Sequence, residues 1–191
     1  MPERFKAHLY KFTAATDDEA VQILSYFQTR TVGKKENLLT AGQVCQWLYF
    51  VERGILRKFY VNEKGVEQTT ELAIENWWIT DHFAYESQSI TESTIQAVEH
   101  TEVLALHRDS REKLLAQHPV MEKYFRCVYQ KAYAAAQMRI KFMYGFSREE
   151  LYHHFCKKHP EFLQRIPQYL LASYLGFTPE YLSEIRRKSL S

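Results

Sequence analysis

The spacing of apolar residues changes near residue 107, and that change limits what the chain can fold into. From about Thr31 to Leu106 the sequence runs in short β-prone stretches broken by turn residues. LLTAGQ turns at Gly42, WLYFVERG at Gly54 and ILRKFYVNEKG at Asn62–Gly65; VEQTTELAI and IQAVEHTEVLAL follow. Strands at intervals of ~8–12 residues with turns between them predict an antiparallel sandwich or barrel. No helix longer than a turn or two is expected inside that block.

Helical spacing flanks the block on both sides. Residues 17–29, DDEAVQILSYFQT, place acids first and then Val21, Ile23, Leu24 and Phe27, which predicts a helix. RDSREKLLAQH predicts a short helix ending before Pro119, and a long one runs from Val120 to about Gly145. In the long helix Met121, Phe125, Val128, Ala132, Ala135, Arg139 and Phe142 recur at steps of four and three. That pattern fits the seam of a two-helix contact. It also fits a helix packed on the chain's own β block; the small side chains of AYAAAQM favour dimerisation.

Ser147 with Glu150 forms a capping box that opens SREELYHHFCKKH. In PQYLLASYLGFTPEYLSEIRRK, Pro167 suits a first helical turn, and Leu171, Ala172 and Leu175 give that helix an apolar face. Gly176 can take the left-handed conformation that ends it. Thr178 then caps a second helix with Pro179 at its first position, and Leu182 and Ile185 turn that helix back onto the first. This is the layout of a helix-turn-helix whose second helix is free to enter a DNA major groove. Arg186, Arg187 and Lys188 at its end fit phosphate contact, and equally fit the helix dipole.

Charge and cysteines narrow the class. With 25 Lys and Arg against 23 Asp and Glu, the net charge is +2, so a nucleic-acid face must be local. No run of about 18 apolar residues exists and MPERFKAHLYKF lacks a signal-peptide core, so a cytoplasmic protein without a membrane span is expected. Cys45, Cys127 and Cys156 are scattered, without CxxC spacing, and predict neither disulfides nor a metal centre. His82 and His100 form no HxH pair in the β block, and no nucleophile–base arrangement stands out, so no catalytic residues are assigned and an enzyme is not expected.

Together these features resemble the Crp/Fnr family of bacterial transcription regulators, in particular the short type of Bacteroidetes. The resemblance rests on LLTAGQVCQWLYFVERGILRKFY, on the long helix and on YLLASYLGFTPEYLSEIRRK. It implies an α+β chain in three parts. Residues 1–118 would be an antiparallel, jelly-roll-like β-roll of the cyclic-nucleotide-binding type, 119–145 the dimer helix, and 146–191 the DNA-binding domain. Partners implied are double-stranded DNA, a second copy of the chain, RNA polymerase and a small-molecule effector.

The effector site departs from the family pattern. Nucleotide-binding members carry a Gly-Glu pair after an aromatic and an Arg-Ser pair about ten residues on. Here Thr80-Asp81 and Thr91-Glu92 stand at those positions in WWITDHFAYESQSITESTIQAVE. Losing the arginine removes a bidentate phosphate contact, and Glu92 would repel the anion. Cyclic AMP or GMP binding in the family manner is therefore not expected; Trp77, Trp78, Asp81, Thr91 and Ser93 could line a different pocket, or the pocket could be filled. Since adjacent strand residues face opposite ways, at least one of Trp77 and Trp78 should be core.

The family's base-reading positions fall on Thr178, Pro179, Glu180, Glu184 and Arg187. Glu180 matches the family glutamate, which accepts from a cytosine amino group. Pro179 and Glu184 replace guanine-reading arginines. Tyr181 and Ser183 are further candidate contacts, and Gln168, Arg187 and Lys188 would touch phosphates. The competing reading is a ligand-binding or protein-interaction β-roll whose helical tail reads no DNA.

Overall fold

A computed structural model describes residues 2–189. The chain divides into two compact units: residues up to 60 with 70–129, and 61–69 with those from 130 on. The division falls inside the long helix, not at its ends.

The first unit is built on two four-stranded antiparallel sheets. One has the order β1 (Phe27–Val32), β8 (Thr101–His107), β3 (Trp47–Arg53), β6 (Trp78–Ile79). The other has the order β2 (Asn37–Leu39), β7 (Thr94–Ala97), β4 (Leu56–Val61), β5 (Glu67–Ala73). β4 and β5 run on into residues 61–69. β8 pairs with β1 on one side (Phe27 opposite Leu106) and β3 on the other (Leu48 opposite Leu106). One apolar core joins the sheets, with Leu39, Leu56, Ile95 and Ala97 from one and Leu48, Val103 and Leu104 from the other.

Leu48, Tyr49, Phe50 and Val51 are all buried, although neighbours on a strand face opposite ways. Helices cover the sheet's outer face, as strands buried on both faces require. Phe5 of α1 (Glu3–Tyr10) sits 5.2 Å from Phe50, 4.8 Å from Phe27 and 5.8 Å from Tyr124 of α5 (Val120–Gly145), ring centre to ring centre. α1 was not predicted; its signal was two apolar residues four apart, Phe5 and Leu9, both now in the core. α2 (Asp17–Leu24) opens on a Thr16–Glu19 capping box but stops five residues short of the expected end. Phe27 belongs to β1, where ladder pairing with Leu106 outcompetes continued helix, and Val21 points outward while Ala20 and Ile23 are buried. α3 (His82–Ser87) and α4 (Arg108–Gln117) complete the unit with the start of α5.

Gly54, between β3 and β4, is held at φ +99°, and a Cβ there would stand 2.7 Å from the His100 carbonyl. Only glycine fits both the backbone angle and the approach.

The second unit contains the rest of α5 and four short helices: α6 (Arg148–Lys158), α7 (Pro160–Arg165), α8 (Gln168–Leu175) and α9 (Pro179–Ser189). The Ser147–Glu150 capping box is formed as read from sequence. The core here is Tyr152, Phe162, Ile166, Leu170, Leu171, Ala172, Leu175, Phe177, Leu182 and Ile185. Within this unit the β4–β5 turn meets α8 at Ser173. The Ser173 hydroxyl accepts from the Thr69 N–H (2.9 Å) and donates to the Glu67 carbonyl (3.1 Å), and the Gln68 amide donates to the Ser173 carbonyl.

Candidate functional site

The α8–α9 pair is stopped and restarted by its own sequence. Gly176 takes φ +77°, and the Phe177 N–H donates to the Ala172 carbonyl (2.8 Å), closing α8. Two residues later the Thr178 hydroxyl accepts from the Tyr181 N–H (3.2 Å) and caps α9, with Pro179 at its first position. Ala172, Leu182 and Ile185 are buried between the helices, and Ala172 has no exposure at all. A larger side chain at Ala172 would push α9 off α8.

Burial divides α9 into two faces. Leu182 and Ile185 are buried and Tyr181 and Arg186 half-buried, whereas Pro179, Glu180, Ser183, Glu184, Arg187 and Lys188 are exposed. Those exposed positions recur at three- and four-residue steps, so they form one outward stripe. Thr178 and Gln168 are exposed as well. Tyr181 is anchored at one edge, with Phe177 5.6 Å from its ring and the Arg148 guanidinium 5.4 Å from it. The Ser183 hydroxyl donates to the Pro179 carbonyl (3.0 Å). Lys188 pairs with Glu184 (3.1 Å) and Glu149 (3.7 Å), and the Glu184 contact raises its pKa. The stripe therefore combines paired charges with a glutamate at its leading end.

The expected effector positions converge only in part. Asp81 and Thr91 meet: the Thr91 hydroxyl donates to Asp81 Oδ2 (2.6 Å), and Asp81 Oδ1 accepts from the Ala84 N–H as the N-cap of α3 (3.3 Å). Burial pushes the Asp81 carboxyl up, but the Thr91 and Ala84 bonds, the Lys58 charge and Ser93 outweigh it and hold it below its usual value. Thr91 also accepts from the Ser93 N–H (2.9 Å). Thr80 is fully buried and donates to the Trp47 carbonyl (2.8 Å). Trp78 lies in the aromatic core and donates through Nε1 to the Tyr124 hydroxyl (3.0 Å), whereas Trp77 is 41% exposed. Glu92 is exposed.

One basic residue beside this group, Lys58, was missed from sequence, as was its strand neighbour Arg57, whose partners include Gln96 and Phe59. The Lys58 ammonium donates to the Thr80 carbonyl (3.0 Å) and pairs with Glu71 (2.7 Å). Buried Arg57 donates through Nε and Nη2 to Gln96 (3.1 and 2.6 Å) and stacks on Phe59. The Arg57-Lys58 pair inside a β-prone run was the signal. Among the described residues no group of three His, Cys, Asp or Glu side chains could hold a metal, all three cysteines are free thiols, and no helix is long and apolar enough to cross a membrane.

The expected seam along α5 is largely occupied. Met121 and Phe125 are buried in the first unit's core, with Val128 packed against it. Arg139 donates to the Tyr174 carbonyl (2.9 Å) and lies 4.0 Å from that ring, and Phe142 stacks on Phe146 (4.9 Å) beside His154 (4.3 Å). Only Ala132 and Ala135 of the seven are exposed. The large apolar side chains left in solvent are Tyr133, Met138, Ile140, Met143 and Tyr144. At about 100° per residue, Tyr133, Ala136, Ile140 and Met143 share a face, rotated roughly a quarter turn from the predicted one.

A model of the cyclic nucleotide-binding domain matches residues 29–118. Solved structures are similar over most of the chain. The catabolite activator protein of Thermus thermophilus is 22% identical, with 92% of this chain and 84% of that one covered and a TM-score of 0.57. FixK2 of Bradyrhizobium japonicum is 17% identical, with 85% and 83% covered and a TM-score of 0.67. CLP of Xanthomonas campestris, a c-di-GMP responsive global regulator, is 14% identical, with 92% of each chain covered and a TM-score of 0.69. No curated protein sequence matches. At these identities the likeness shows the fold: a β-roll of the cyclic-nucleotide-binding type followed by a long helix and further helices.

Proposed function

We propose that the chain is a homodimeric, sequence-selective DNA-binding transcription regulator of the Crp/Fnr type, with α9 as its reading helix. The observation that carries this is the two-faced α9, capped by Thr178 on a left-handed Gly176 turn, with Leu182 and Ile185 buried and a polar stripe from Pro179 to Lys188 outward. A helix presented that way can set its N-terminal residues against base edges in a major groove. Glu180 would accept from cytosine N4, Thr178, Tyr181 and Ser183 would add contacts to bases or phosphates, and Gln168 and Arg187 would position the backbone. Lys188, already neutralised by Glu184 and Glu149, would contribute less.

Dimerisation would use α5, through the exposed face of Tyr133, Ala136, Ile140 and Met143. Two reading helices would then address half-sites one DNA turn apart, ~34 Å. Cyclic AMP and cyclic GMP are not the effectors on this reading. Asp81 and Thr91 satisfy one another, and nothing at position 91 supplies the phosphate-binding arginine. An effector, if one acts, is of another class, and regulation would proceed by shifting the dimer between geometries. Contact with RNA polymerase belongs to the same reading.

Selection of bound duplexes from a random DNA library, at physiological salt and without ligand, tests it. Enrichment of a two-fold symmetric site supports the proposal. Absence of enrichment without ligand and with every effector that raises the melting temperature would favour a β-roll protein whose tail reads no DNA.

A further inference from the structure

The turn between β4 and β5 is built into the helical unit. Residues 61–69 form one compact unit with residues 130 onward, although β4 itself pairs with β7 in the other. The bonds of the turn to α8 meet at one residue, Ser173. The Thr69 N–H donates to its hydroxyl (2.9 Å), the hydroxyl donates to the Glu67 carbonyl (3.1 Å), and the Gln68 amide donates to the Ser173 carbonyl. That carbonyl also accepts from the Gly176 N–H (3.2 Å), one of the bonds that close α8 ahead of α9. On the next residue, Arg139 of α5 donates to the Tyr174 carbonyl (2.9 Å) and lies 4.0 Å from the Tyr174 ring. The last turn of α8 is thus held from two elements, just before the bend that launches α9.

The chemistry of the contact is specific to a hydroxyl. Ser173 donates and accepts at once, which threonine can also do and alanine cannot. Thr69 is 1% exposed, and its own hydroxyl is buried without a hydrogen-bond partner. Burying that hydroxyl costs free energy, so packing alone does not account for the contact, and the Ser173 bonds offset the cost. None of these bonds uses the outward stripe of α9, which stays exposed. The turn therefore aims the helix pair without covering its outer face.

We propose that Ser173 is a positioning residue for DNA recognition: by docking α8 on the β4–β5 turn it fixes the direction of α9, so that both reading helices of a dimer engage their half-sites together. This rests on the reading of α9 given above. Its consequence is confined to the paired site. A single half-site is bound by one helix whatever its direction, whereas simultaneous engagement of two needs a fixed geometry, and a loosened helix pair loses effective concentration for the second contact.

The test compares the full-length wild type, Ser173→Ala and Ser173→Thr by fluorescence anisotropy on two duplexes, the symmetric site selected from the library and one carrying a single half-site. Ser173→Ala should bind the symmetric duplex about tenfold more weakly, the order of the hydrogen bonds lost, with half-site affinity unchanged, and Ser173→Thr should restore it. Amide exchange follows the contact without DNA: the Thr69 N–H should exchange about tenfold faster in Ser173→Ala. Equal losses on both duplexes would make the hydroxyl purely structural and overturn the proposal. Unchanged exchange at Thr69, or unchanged affinity for the symmetric duplex, also overturns it. Thr69→Val keeps the N–H and should bind as the wild type does; a loss matching that of Ser173→Ala would assign the contact to packing and overturn the proposal. Should Ser173→Ala fail to fold, Gln68→Ala removes the bond to the Ser173 carbonyl and carries the same comparison. A wild type that selects no duplex overturns the reading of α9 and this proposal with it, whereas a wild type that selects one and a Ser173→Ala that matches it overturn the proposal alone.

Discussion

The Thr91 hydroxyl donates a 2.6 Å hydrogen bond to Asp81 Oδ2, joining two residues ten apart at the start of α3. Because Asp81 also caps α3 through Ala84, this carboxylate organises the turn rather than waiting for a ligand. Asp81→Ala should cost about 0.5–2 kcal/mol at pH 7, the usual range for a lost N-cap. The carboxyl's pKa is lowered in the folded chain, so its stabilising contribution is complete above the unfolded value of 3.8 and fades as pH falls through the folded one. The stability gap between wild type and Asp81→Ala should therefore narrow below about pH 4. Urea titrations at pH 7, 4 and 3 measure it, and a gap independent of pH would refute the assignment.

The same pairing predicts how cyclic nucleotides behave. Isothermal titration with cyclic AMP should give no heat of binding in the micromolar range. Saturable micromolar binding to the wild type would show that the Asp81–Thr91 bond yields to ligand and that another cation does the arginine's work.

Gly54 separates β3 from β4 at φ +99°, and a side chain there would run into the His100 carbonyl. Gly54→Ala should lower stability by more than about 1 kcal/mol, since an incompatible φ outweighs any entropic gain. Gly65→Ala, also at positive φ but with open space around it, should cost less. Equal losses in the two variants would mean that backbone strain alone, and not the close approach, decides.

On α5 the dimer prediction moves with the exposed face. Ile140→Glu should turn dimers into monomers in sedimentation experiments, whereas Phe125→Ala should act as a core substitution and cost ~3–5 kcal/mol of stability. Ala135→Glu, about a third of a turn from the centre of that face, should weaken association less than Ile140→Glu. A dimer indifferent to Ile140→Glu places the interface elsewhere.

Local chemistry was legible in the sequence; choices settled by distant partners were not. The Gly176 turn, the Thr178 cap and the Ser147–Glu150 box need only neighbours within a few residues, so spacing revealed them. The strand block was legible for the same reason, since Gly42, Gly54 and Asn62–Gly65 punctuate it. Along α5 the periodic stripe and the solvent-exposed face differ because Phe125, Arg139 and Phe142 are held by side chains distant in sequence: Phe125 by Trp78, Arg139 by Tyr174, Phe142 by His154. Periodicity names a stripe but not what covers it. α2 was overextended because Tyr26 and Phe27 fit either a helix face or a strand, and pairing with β8 decides between them. The Asp81–Thr91 bond joins two elements, and nothing in the spacing foretold it.

α9 separates positioning from reading. Arg187→Ala should weaken binding to every sequence about equally and lower the slope of log affinity against log salt by about one, the signature of one lost phosphate contact. Glu180→Ala should instead relax the selected half-site at one position, because the cytosine amino group loses its acceptor there while phosphate contacts are untouched. Removing a carboxylate also raises the local positive charge, so total binding to non-specific DNA should increase in Glu180→Ala. Measured by library selection and by fluorescence anisotropy across a salt series, the two variants should therefore move opposite quantities. If Glu180→Ala leaves the selected site unchanged, α9 does not enter the groove by its N-terminal end, and the outward stripe serves something other than base recognition.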